Sequence, residues 1–180
     1  MKKLIATLMA LTLALTLGLS AALAESSDWS FTYGIKYNDD MPTVMEKFPW
    51  DKYEIENEHT KGAVTFSELE YKRVTDEGNG LTADIKYLFV GNCLVAIHYD
   101  FADGISYDAV KAELEPVYGA AVPFNAAKIG NGKYAVDDDG ELEDCKEMIE
   151  KDGVIIVLEK DHDGDVDVTF LDMAAAYINN

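Results

Sequence analysis

Apolar and polar residues recur along this chain with two periods, which separate helices from strands. Met41, Val44, Met45 and Phe48 fall at i, i+3, i+4 and i+7, one face of a helix. Asp40 stands where an N-cap belongs, Pro42 suits a first turn, and Pro49 stops the helix. Tyr107, Val110 and Leu114 repeat the spacing behind Ser106, with Pro116 and Gly119 at the far end. A third helix is expected from Asp138 or Asp139, carrying Leu142, Cys145, Met148 and Ile149 and closing at Gly153. A short C-terminal helix is expected after Asp172.

Between these stretches the period drops to two. Residues 64–74 place Leu69 and Tyr71 opposite Glu68 and Glu70. Residues 81–90 carry Ile85, Tyr87 and Phe89 on one face, and Gly91-Asn92 makes a tight connection. Residues 93–101 carry Cys93, Val95, Ile97, Tyr99 and Phe101 on one face. Val154 to Leu158 is an unbroken apolar run, and Val166, Val168 and Phe170 face inward on a last strand. The polar stretch 50–61 reads as a loop, as do residues 119–136, and every proline falls outside these strands. The expected fold is α+β: an antiparallel sheet of about five strands with helices packed on one face.

The first residues follow neither period. Lys2 and Lys3 precede an uncharged run from Leu4 to Leu19, and Ala22-Leu23-Ala24 offers small residues to a signal peptidase. This is the pattern of a bacterial secretory signal peptide over 1–24, cut before Glu25, leaving 25–180 as one secreted α+β domain. The leader is shorter than the ~20 apolar residues of a stable span, so no membrane insertion of the mature form is expected.

Charge narrows the partners. The chain carries a net charge of −19, and a leader with two lysines and no acid leaves −21 on the mature domain. Binding to nucleic acid needs Lys and Arg to displace counterions, so this charge argues against it and equally against anionic membrane surfaces. A basic protein or a divalent cation is compatible.

One resemblance stands out in the first half. The stretch Tyr33-Gly34-Ile35-Lys36-Tyr37 before a short helix, then 85–89 paired with 94–101, resembles small secreted modules of the β-lactamase-inhibitor-protein type over roughly residues 31–101. The resemblance implies helices placed before an antiparallel sheet, a repeated unit, and the binding of another protein by the sheet surface. No binding residue carries over.

Several clusters are candidates for chemistry. Asp161, Asp163 and Asp165 stand at positions 1, 3 and 5 of a stretch that ends in an acid at position 12, an echo of a calcium loop. Val166 stands where that loop needs glycine, and strands flank it, so a solvated acidic hairpin is the plainer expectation. The run from Asp137 to Asp139 suits helix capping. Cys93 and Cys145 both fall on inward faces, and export permits a disulfide between strand and helix; two buried thiols are the other reading. His98 with Asp100, and Glu68 with Glu70, share strand faces and define a small hydrolase as one alternative, against a plain polar sheet face. Tyr33, Tyr37, Tyr53 and Tyr134 suit a protein interface. No phosphate loop or nucleophile elbow is present in the sequence. The expectation is therefore a secreted, non-catalytic, protein-binding module, with a calcium-dependent surface protein and a hydrolase as alternatives.

Overall fold

The computed structural model describes residues 29, 31–61, 64–75, 81–125, 145–161 and 163–173. The leader at 1–24, the acidic run 137–139, Tyr134 and the segment 174–180 lie outside them. The α+β expectation gives way to a mostly β protein. Among the described residues eight strands form one antiparallel sheet, accompanied by two short α-helices. Helix α1 spans Met41–Lys47 and α2 spans Tyr107–Tyr118. The strands are β1 Glu54–Lys61, β2 Val64–Thr75, β3 Thr82–Val90, β4 Cys93–Phe101, β5 Val122–Pro123, β6 Cys145–Lys151, β7 Val154–Lys160 and β8 Val166–Asp172. Among the described residues no helix is long and apolar enough to cross a membrane.

The strand order β1-β2-β3-β4-β8-β7-β6-β5 contains a repeat. A helix followed by a four-strand meander occurs twice, as α1 with β1–β4 and as α2 with β5–β8. The last strands of the two units, β4 and β8, pair antiparallel at the centre. The units are thus related by an approximate two-fold axis through the middle of the sheet.

Local chemistry explains why these segments fold as they do. The Asp40 carboxylate accepts the Thr43 N–H at 2.9 Å, a side-chain N-cap. Hydrogen bonds from the Thr43 side chain, then from its backbone, hold the Asp40 carboxyl below the usual carboxylate range. Ser106 makes no side-chain cap, and α2 runs through Pro116 in its last turn before ending at Gly119, whose φ of 111° needs glycine. Both units use two-residue hairpins with positive φ at both positions. Gly91 and Asn92 join β3 to β4, and Asp152 and Gly153 join β6 to β7.

That second hairpin overturns the expected third helix. Leu142, Cys145 and Ile149 have helical spacing, but Met148 and Ile149 lie on β6 opposite Val157 and Ile156. Asp152-Gly153 is hairpin chemistry where a helix stop was inferred. The polar stretch after Trp50 is also a strand in part. β1 pairs on one side only, with β2, and its charged residues suit an edge that must not recruit another chain. Pro123 sits on the opposite edge strand, β5, where a missing N–H costs no ladder bond.

Residues paired across neighbouring strands share a face, so the register defines both surfaces of the sheet. One row runs Leu69, Tyr87, Ile97, Phe170, Ile156 and Ile149, apolar through six strands. Val44 of α1 and its C-cap residue Phe48 pack with Leu69, Tyr71 and Tyr87 at one end of this face. Val110 of α2 packs with Ile156, Leu158 and Val168 at the other. Two helices of seven and twelve residues cover two patches of the face rather than layering it.

Candidate functional site

The space left between those patches is open. It is a groove of about 520 Å³. Its floor is the centre of the sheet, with Ile85 and Tyr87 from β3, Tyr99 and Phe101 from β4, and Val168 and Phe170 from β8. Phe48 at the end of α1 forms one wall, and Val110, Leu114 and Tyr118 of α2 form the other. Tyr33 stands over the rim, half exposed, with its ring edge-on to Phe48 at 5.4 Å. Tyr118 stacks on Trp29 at 5.2 Å and meets Phe170 at 5.7 Å.

Eight aromatic rings line this groove, and the only charged side chain among its lining residues is that of Glu113. Burial pushes the Tyr87 hydroxyl well above its ordinary pKa, with neighbouring Tyr99 adding to it, and burial also raises Tyr118. These phenols stay neutral through the physiological range. A mostly apolar cleft of this size with a few polar groups is the usual form of a binding site.

A second, polar hollow lies beside the start of α2, lined by Tyr107, Lys111, Glu147 and Lys160 among others. Two of its charges, Glu147 and Lys111, pair with each other. Glu147 accepts from the Tyr107 hydroxyl at 2.8 Å and from Lys111 Nζ at 2.6 Å, and these bonds lower its pKa.

The opposite face of the sheet holds the sequence-derived acid–base candidates. His98 and Asp100 share it, as do Glu68 and Glu70 on β2. One row reads Glu54, Glu70, Lys86, His98 and Thr169. The next reads Asp84, Asp100, Asp167, Glu159 and Lys146. Lys146 pairs with Glu159, whereas Asp84, Asp100 and Asp167 stand directly opposite one another, an unfavourable arrangement. Burial, then Asp84, raises the Asp100 carboxyl above its ordinary range.

His98 Nδ1 lies 3.0 Å from Thr169 Oγ1, and its Nε2 lies 3.6 Å from Asp167 Oδ1. Burial, helped by Lys86, lowers its pKa to about 4. The imidazole is therefore neutral near pH 7 and a weak base, since general-base chemistry favours a pKa near the working pH. Tyr37 is buried in the core, whereas Tyr53 is exposed beside Tyr71.

The acidic hairpin uses its first carboxylate internally. Asp161 Oδ1 accepts the N–H groups of Gly164 at 2.7 Å and Asp165 at 2.8 Å. Burial and the nearby Asp161, Asp103 and Asp163 raise the Asp165 carboxyl. Among the described residues no group of three or more His, Cys, Asp or Glu side chains is arranged to hold a metal ion.

The proposed Cys93–Cys145 bridge requires a correction. Cys93 is a free thiol. Cys145 opens a strand rather than lying on a helix, and the register sets it level with Phe101 through Lys160 and Val166. Eight residues along β4 separate Phe101 from Cys93, about 26 Å, and three strand spacings add about 14 Å sideways. A disulfide needs Cα atoms within about 7 Å.

Sequence reasoning placed the floor aromatics in the core but did not identify the groove. Its one local signal was Tyr33, singled out as an interface residue. No family model, no curated protein and no solved structure matches this chain.

Proposed function

We propose that the mature chain is an exported, non-catalytic binding module that holds a partner protein in the groove between α1 and α2. The observation that carries this reading is the groove itself, an open cleft with an aromatic lining. Buried aromatic anchors in such clefts supply most of the energy of protein interfaces. Tyr33 at the rim is half exposed, and so carries apolar surface that a partner can cover. The leader pattern supports export, and the acidic charge keeps such a protein dispersed.

The test is affinity capture from the producing cell's medium and surface extracts, with wild-type protein beside a Tyr33→Ala, Leu114→Gln variant. Neither side chain belongs to the fully buried core, so the variant should fold. A partner held by the wild type should bind the variant at least about tenfold more weakly, because each lost anchor costs on the order of 1–2 kcal/mol. Equal capture by the two proteins would sink the reading.

A further inference from the structure

We infer that the groove receives a basic, apolar segment of the partner, with an arginine or lysine side chain laid among the aromatic rings and its charge beside Glu113; this rests on the protein-binding reading above. Aromatic faces carry negative potential and attract cations. The lining offers Tyr33, Tyr99 and Tyr118 in addition to its phenylalanines, and no Lys or Arg.

Helix α2 treats its charges unequally. On the flank facing β6, Lys111 pairs with Glu147 at 2.6 Å and with Glu115 at 4.0 Å. On the groove flank, Glu113 has no ion pair or hydrogen bond to any described side chain. A carboxylate at the mouth of an aromatic cleft complements a cation whose aliphatic stem lies along apolar surface. The chain's net charge of −19 adds long-range attraction for a basic partner. A cleft of about 520 Å³ accommodates such a side chain with an apolar neighbour on either side.

The probes are three labelled nine-residue peptides, identical except for a central arginine, citrulline or glutamate flanked by leucines. Anisotropy with the mature protein should show the arginine peptide binding about threefold to thirtyfold more tightly than the citrulline peptide. The glutamate peptide should bind weakest. Glu113→Gln, an exposed substitution, should weaken the arginine peptide about threefold to tenfold and leave the citrulline peptide unchanged. Equal affinity for arginine and citrulline, no effect of Glu113→Gln on the arginine peptide, or binding of none of the three overturns the inference. None of these results touches the groove-dependent capture of a whole partner, which tests the wider reading separately.

Discussion

The two faces of the sheet are built from the same strands and differ in everything else. Tyr87, Ile97, Phe170 and Ile156 form a continuous apolar row on one face. One residue along, Lys86, His98 and Thr169 form a polar row on the other, beside the carboxylates of Asp84, Asp100 and Asp167. The helix-bearing face has its energetics set by burial and ends in a groove. Much of the other face is governed by desolvated charge, although Val90, Ala96, Ile155 and Leu171 form an apolar cluster at one end of it. The contrast shows that strand alternation sorts residues between faces locally. What each face does is decided only when eight strands align their rows.

The largest expected effect comes from breaking the apolar row. Phe170→Ala removes a ring that touches Trp29, Phe31, Tyr99 and Tyr118. Urea denaturation should show a loss of about 3–5 kcal/mol. Thr169→Ala on the other face should cost about 1–3 kcal/mol, the penalty for leaving a polar partner unpaired. Equal losses would erase the distinction between the faces.

The second effect is a pH dependence centred on His98. Its folded pKa of about 4 lies below the ordinary 6.5, so the unfolded chain binds the proton more readily. The stability linked to His98 is complete above pH 6.5 and is lost as pH falls toward 4. Proton NMR should show the His98 ring titrating well below the ordinary range, and His98→Gln should flatten the stability profile between pH 6.5 and 4. A ring that titrates near 6.5 would place His98 in water and break the comparison.

A smaller pair of effects should have opposite signs. Asp100 has a raised pKa, so its carboxylate opposes folding at neutral pH and Asp100→Asn should stabilise by about 0.2–1 kcal/mol. That gain should shrink on acidification, as the native carboxyl takes up its proton first. Glu147, beside α2, has a lowered pKa, and Glu147→Gln should destabilise by a similar amount. That loss should fade below the folded pKa of Glu147, where the wild-type side chain is also protonated. Thermal melts of both variants at neutral and acid pH check the signs.

The smallest expected effect is none. With the two cysteines at opposite ends of the sheet, a reducing agent should leave the melting temperature of the protein unchanged. A drop of several degrees would restore the bridge and require a different register for β6.

Where local chemistry was decisive, the sequence was sufficient. Asp40, Val44, Phe48 and Pro49 specify α1 because a cap, an apolar stripe and a stop all act within one short segment. Gly91-Asn92 specifies a hairpin because few residues accept positive φ at both positions. The faces of β3 and β8 follow from side-chain alternation, and so does β4 from Ile97 onward; a bulge at Val95 turns Leu94 to the groove face and sets Cys93 and Val95, expected inward with Ile97, on the other side. β1 was missed because an edge strand pairs on one side and needs no apolar face. β6 was missed because Leu142, Cys145 and Ile149 have helical spacing, while its strand neighbours lie beyond the Asp152-Gly153 turn.

The sequence by itself determined which side chains of β3 and β8 share a strand face, where α1 begins and stops, and the sign of the net charge. These follow from backbone geometry and composition within a few residues. Tertiary structure alone decided that Asp84, Asp100 and Asp167 would face one another, that Cys93 and Cys145 would lie far apart, and that two short helices would leave a groove between them. Each depends on pairing between residues distant along the chain, and no local period encodes the register of that pairing.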